Sequence, residues 1–152
     1  MIKLSQLSRL FFGVFCLFSL NLSAQSLNNE QFKQFLSILA RVESGGKTNA
    51  VGDNGKAIGI YQIHYSYWKD AIEYSKSIGK DIGGKYNDCF DPEYAAKIVS
   101  AYLSRYCKGG TWEEMARCHN SGPQWKKKYH LTNKYWEKFK LTQKEKISII
   151  VT

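Results

Sequence analysis

The stretch Asp91-Pro92-Glu93-Tyr94-Ala95-Ala96-Lys97-Ile98-Val99-Ser100-Ala101-Tyr102-Leu103-Ser104-Arg105-Tyr106 reads as one amphipathic helix and decides the fold class. Asp91 is a helix-capping residue, and Pro92 suits the first helical position, where its fixed φ helps and its missing N–H costs nothing. Ala95, Ile98, Val99, Tyr102 and Tyr106 recur at helical spacing, a broad apolar face fit for the centre of a core. Lys108-Gly109-Gly110 ends the helix.

Outward from it, the sequence alternates helical periods with turn signals. Residues 30–43 form a helix with Asn28 or Asn29 as cap and Phe32, Phe35, Leu36, Leu39 and Glu43 on one face; Ser44-Gly45-Gly46 stops it. Between Asn49 and Ile63 the turn signal Asp53-Asn54-Gly55 separates short apolar segments, which predicts a small hairpin or irregular β region. A helix over about 66–78 turns Trp68, Ala71, Ile72 and Ser75 inward, and a Gly- and Lys-containing loop follows to Cys89. Thr111 with Glu114 is a capping box opening a short helix to about His119, stopped by Asn120-Ser121-Gly122-Pro123. A helical turn or two is expected at Tyr135 to Phe139, and the tail Ile147 to Thr152 reads as a strand or as disordered. The whole is a mostly helical α+β domain with a small β-hairpin region.

The chain has 152 residues, 43% apolar and 14% aromatic, a composition that supports one ordered domain and excludes a disordered chain. Lys3 and Arg9 precede an apolar run, Leu10 to Leu20, that ends in Asn21-Leu22-Ser23-Ala24. This is the pattern of a secretory signal, and the run is shorter than the roughly 20 residues that span a bilayer. The expected organisation is a signal peptide at 1–24, a catalytic domain at 25–146 and a tail at 147–152. The protein is then exported, periplasmic or extracellular, with no stable membrane insertion after cleavage. Loss of Lys3 and Arg9 takes the formal charge from +9 to +7. Most of the excess lies in residues 124–146, where eight Lys face Glu137 and Glu145. Such a region suits an anionic partner; export disfavours nucleic acid and favours an acidic envelope polymer.

Three cysteines follow the signal: Cys89, Cys107 and Cys118. One disulfide plus a free thiol fits an oxidising compartment. Cys89 and Cys107 flank the 91–107 helix from opposite ends, too far apart to bond, so Cys118 is the partner of either. No metal-ligand or phosphate-cradling motif occurs, and no metal or other cofactor is expected.

Glu43 is the anomaly. It lies on the apolar face of its helix, where desolvation favours a protonated carboxyl, unless the helix frays and turns it to water. Downstream come Glu43-Ser44, then Gly59-Ile60-Tyr61-Gln62-Ile63, then His119-Asn120-Ser121-Gly122-Pro123. In that order these segments resemble the lysozyme-like glycosidases. Tyr67-Trp68-Lys69-Asp70, Ala101-Tyr102-Leu103-Ser104-Arg105-Tyr106 and Tyr135-Trp136 make the chain most similar to the invertebrate-type lysozymes and their bacterial relatives, over about residues 32–139.

The resemblance implies a muramidase with Glu43 as general acid and Asp53 as second carboxylate, hydrolysing the β-1,4 bond between N-acetylmuramic acid and N-acetylglucosamine in peptidoglycan. Asp53-Asn54-Gly55 is equally a good turn. Substrate contacts fall on Ser44, Gly59, Tyr61, Gln62, Tyr102, His119, Asn120 and Trp136, with core packing the competing role for the aromatics and helix capping for His119. The expected partner is the glycan strand, taken by a monomer. Ser121 replaces a more usual Gly, Cys118 an apolar residue, and most of the family's cysteines are missing. Other readings remain: a lytic transglycosylase using Glu43 alone, or a non-catalytic wall-binding protein on the same scaffold. The isopeptidase action credited to some relatives needs a Ser-His pair, and no GxSxG-like motif supports it.

Overall fold

A computed structural model describes residues 29–151. The expected signal segment 1–24 and the possible cap Asn28 lie outside the described residues. The chain divides into two units, residues 1–35 and 36–152. Of the first, the described part is the opening half of helix α1 (29–44), where Phe32 and Phe35 stack at 6.0 Å.

The second unit carries the rest of α1, a three-stranded sheet and four further helices. The strands are β1 (Val51–Gly52), β2 (Ala57–Ile58) and β3 (Ile63–His64), and the helices are α2 (Tyr65–Ser77), α3 (Pro92–Tyr106), α4 (Trp112–Ser121) and α5 (Asn133–Val151). Short 3-10 segments cover Asp53–Gly55, Tyr86–Phe90 and Trp125–Thr132. The sheet is an antiparallel meander, with Val51 opposite Ile58, and Ala57 opposite His64. This is the mostly helical α+β fold that the sequence predicts. No helix among the described residues is long and apolar enough to cross a membrane.

Helix α3 is central, as its periodicity requires. Asp91 caps it, accepting from the Tyr94 N–H at 2.7 Å, with Pro92 leading the first turn. Ala95, Ile98, Val99, Tyr102 and Leu103 are buried, while Tyr106 sits half-buried and bonds Asp70. Against it packs α2, through Tyr67 rather than the expected Trp68. The Tyr67 ring lies 3.5 Å from that of Tyr102, and half-buried Trp68 donates to the Tyr94 hydroxyl. An indole N–H must find an acceptor, and at the margin of the interface Tyr94 supplies one.

The Thr111–Glu114 capping box opens α4 as expected, and Gly122, at φ +82°, closes it. Buried Arg117 ties α4 to the segment beyond. Its guanidinium donates to Glu113, the Tyr129 carbonyl, Thr132 and Asn133, and lies 3.8 Å from the centre of the Tyr129 ring. An unpaired buried guanidinium would be costly, so this saturation fixes the approach of α5.

Two expectations change. The Ile147 tail is helical, as α5 runs on to Val151. Its β-branched residues favour strand locally, but extending an existing helix needs no new nucleus. Lys138 and Lys146, which donate to the Val42 carbonyl and to Ser37, hold α5 along α1. The three cysteines are free thiols. Cys107 lies beside Cys118 and points its thiol toward the Glu114 carbonyl at 3.8 Å, whereas burial pushes the thiol of Cys89 up to about 12.

Candidate active site

The last turn of α1, the sheet and the last turn of α4 converge on a cavity of about 310 Å³. Glu43, Asp53, Gln62, His119 and Asn120 line it, five residues that the sequence singles out; Ala57, His64 and Tyr67 complete the wall.

Glu43 forms the rear. Its side chain is 16% exposed, and its Oε1 accepts a hydrogen bond from the hydroxyl of half-buried Tyr135 in α5. Burial first, and then the neighbouring Glu43 charge, raises the Tyr135 pKa well above the ordinary value, so this hydroxyl is a donor at neutral pH. The His119 Nε2 approaches the same Oε1 at 3.6 Å. That nitrogen also lies 3.1 Å from the Tyr61 carbonyl, which can only accept, so Nε2 carries a proton. Nδ1 in turn takes the Tyr67 hydroxyl at 3.0 Å. Both ring nitrogens are therefore satisfied in the neutral tautomer. Burial lowers the His119 pKa, with Glu43 opposing. At neutral pH the His119–Glu43 approach is thus a contact between an imidazole and a carboxyl group, and not an ion pair.

Asp53 forms the front. Its side chain is 68% exposed, and Oδ2 meets the His64 Nε2 at 2.9 Å. Asp53, Asn54 and Gln62 all have positive φ, at 48°, 55° and 49°. Asp and Asn tolerate that region through short polar side chains; Gln does so rarely, and such backbone strain concentrates at functional sites. Here the Gln62 amide folds back to donate to the Gly59 carbonyl at 2.9 Å, and its Oε1 occupies the space where a Cβ on Gly52 would stand. Gly59 is itself pressed on the Cys89 carbonyl, 2.0 Å from where a Cβ would be, so only glycine fits.

The other residues predicted to touch substrate are not among the cavity-lining residues. Ser44 ties α1 to the sheet by donating to the Ile60 carbonyl at 2.8 Å. Tyr61 is buried and offers its carbonyl to His119. Tyr102 is the buried stacking partner of Tyr67, and Trp136 stacks on Phe139 at 5.6 Å. Ser121 donates to the Arg117 carbonyl rather than pairing with His119, whose nitrogens are already engaged. The structure adds Tyr67, His64 and Tyr135, which sequence reasoning did not assign to the site. For Tyr135 a signal existed: Tyr135, Lys138, Phe139, Thr142 and Lys146 follow one helical face, and that face packs toward α1.

The family model described as Destabilase matches residues 33–142. Invertebrate-type lysozyme 6 of Caenorhabditis elegans is 34% identical over 114 residues, covering 69% of this chain and 82% of that protein. Invertebrate-type lysozyme 3 of the same organism is 37% identical over 73 residues, 43% of this chain and 52% of that protein. The matched span contains every residue of the cavity together with Tyr135. The chain therefore belongs to the Destabilase family and is a lysozyme-type hydrolase.

Proposed function

We propose that the protein hydrolyses the β-1,4 bond between N-acetylmuramic acid and N-acetylglucosamine in peptidoglycan, with Glu43 as general acid and Asp53 as second carboxylate. One observation carries this reading: two carboxyl groups line one cavity from opposite environments, Glu43 within the wall and Asp53 at the open rim. Glycoside cleavage needs that asymmetry, with one carboxyl delivering a proton to the leaving oxygen and the other facing the positive charge that develops on the sugar.

The rear wall suits the first role. Tyr135 occupies Oε1 of Glu43, which leaves Oε2 as the oxygen to hold and transfer the proton. Neutral His119 adds a dipole without adding a positive charge that would compete for the carboxyl. The Gln62 and Asn120 amides supply hydrogen-bonding groups for sugar hydroxyl and acetamido groups. At the front, Asp53 on its strained turn stabilises the oxocarbenium-like transition state or forms the covalent intermediate. No step requires a metal or another cofactor.

Residues 1–24 carry the protein out of the cytoplasm in this reading, and the exposed Lys126, Lys127 and Lys128 attract it to an anionic wall. Raising salt then weakens wall binding, and replacing the three lysines removes most of that salt dependence.

The test is digestion of purified peptidoglycan by the mature protein and by Glu43→Gln, with soluble products read by mass spectrometry. Reducing muropeptides from the wild type alone support the hydrolase. Products one water lighter, with 1,6-anhydro ends, move the assignment to a lytic transglycosylase. Wall binding with no Glu43-dependent product leaves a binding protein on the lysozyme scaffold.

A further inference from the structure

His64 occupies a position that its side chain does not serve. It closes β3 and is the capping residue of α2, a place that favours Ser, Thr, Asp or Asn, yet its imidazole makes no hydrogen bond to the helix. Instead Nε2 reaches Oδ2 of Asp53 at 2.9 Å, across eleven positions of the chain. An ionised carboxylate can only accept, so Nε2 is the donor in this contact.

The two ends of the bond are held unequally. His64 sits on a fixed frame: Ala57 pairs with it across the sheet, Ile63 before it is buried, and α2 begins at the next residue. The Tyr86 hydroxyl, shared between the Ile63 carbonyl at 2.7 Å and the Lys56 carbonyl at 2.9 Å, ties β3 to the entry of β2. Asp53 belongs to a three-residue 3-10 turn, and its side chain is 68% exposed. A carboxylate so placed turns about its own torsions unless something outside the turn holds it. An ion pair this exposed adds little to stability, so what the contact fixes is direction.

We propose that His64 is a positioning residue for the second carboxylate: its Nε2–H holds Oδ2 of Asp53 and leaves Oδ1 turned to the sugar. The proposal rests on the hydrolase reading, which gives Asp53 its role. Both residues line the cavity, so the bond lies along a wall that substrate meets. Facing the positive charge that develops on the sugar, or attacking its anomeric carbon, requires one oxygen at a set distance. A carboxylate that swings loses that geometry.

The experiment compares His64→Phe and His64→Gln in the wild-type and Asp53→Asn backgrounds, with peptide-free glycan strands as substrate and Glu43→Gln as the blank. Phe keeps a ring without a donor, and Gln keeps a donor near the place of Nε2. Asn at position 53 tolerates the left-handed turn and carries no charge. His64→Phe is expected to lower kcat about 5-fold, the scale of one hydrogen bond, with KM and thermal midpoint unchanged. His64→Gln recovers most of that loss, and His64→Phe adds nothing in the Asp53→Asn background. An equal loss in both backgrounds, a loss in KM alone, a loss that Gln does not recover, or no loss overturns the assignment. The imidazole nitrogen shifts of His64, read by NMR, are independent of turnover: Nε2 should move in Asp53→Asn, and an unmoved signal overturns the contact itself. Failure of the two readings is distinguishable. Near-full activity in Asp53→Asn removes the second carboxylate and the role of His64 with it. A loss in Asp53→Asn with none in His64→Phe keeps the carboxylate and removes His64 alone.

Discussion

Glu43 and Asp53 face one cavity, yet the protein treats them in opposite ways. Glu43 sits at the end of a long helix, 16% exposed, with a half-buried tyrosine and a buried histidine at one oxygen. Asp53 sits on a three-residue turn of positive φ, 68% exposed, with a single partner that is itself 44% exposed. The rear of the site is built from packing and the front from backbone conformation. In the proposed mechanism the acid has to keep its direction toward the leaving oxygen, and it belongs where neighbours cannot move. A group that must present charge to a cation can stay near water, where solvation keeps that charge cheap.

The largest effects should come from exchanging each carboxyl for its amide. Glu43→Gln removes the transferable proton, and cleavage should fall about 10³-fold, within the span of general acid catalysis. Asp53→Asn should cost less, about 10²-fold, since the scaffold and the acid remain. Both are read as kcat on glycan strands with unchanged thermal midpoints. Near-full activity in Asp53→Asn would erase the division of labour and favour a transglycosylase that needs Glu43 alone.

The next test concerns what holds the rear wall. Tyr135→Phe keeps the ring and deletes the hydroxyl that donates to Glu43. We expect kcat to drop about 10-fold, the effect of losing one hydrogen bond that orients the acid, with KM unchanged. A KM effect alone would place Tyr135 in substrate binding instead.

His119 supplies a pH test of the same wall. Burial holds its pKa below the 6.5 of a free imidazole. As pH falls, the unfolded chain takes the proton first, so protonation favours unfolding. The stability tied to neutral His119 is therefore complete above about pH 6.5 and is lost as pH drops from there toward the lowered folded value. Wild-type thermal midpoints should decline through that window more steeply than those of His119→Gln. Parallel curves would mean that His119 titrates alike in the folded and unfolded chain.

Much of this was legible in the sequence, for reasons that can be named. Asp91-Pro92 and Thr111…Glu114 are local signals whose physics needs no tertiary context, and both begin helices where expected. Glu43 stood out as a carboxyl on an apolar helical face, and Gln62, His119 and Asn120 lay in motifs whose order the family shares. What stayed hidden depends on contacts distant in the chain. Tyr135 meets Glu43 across 92 positions, and Tyr67 meets His119 across 52. Tyr67 and Trp68 are adjacent, and only the placement of Tyr102 decides which one enters the core. The helical end of α5 was obscured because Ile147, Ile149, Ile150 and Val151 favour strand locally.

The smallest expected effect sharpens the front of the site. A Cβ on Gly52 would lie 2.2 Å from the Gln62 Oε1 and 3.4 Å from its Cδ. Gly52 itself is extended, at φ −125° and ψ −178°, so alanine meets no backbone penalty there. What must yield is the far end of a flexible side chain, and the stability cost of Gly52→Ala should stay below about 1 kcal/mol. The displaced amide, however, leaves the Gly59 carbonyl and shifts a wall of the cavity. Activity should therefore fall by about the same few-fold factor as in Gln62→Ala, by misplacing one substrate contact. Because both substitutions act on one amide, the double variant should be no worse than either single one. Additive losses would instead mean that Gly52 matters for the turn beneath Asp53, and that the front of the site is held by its backbone without help from Gln62.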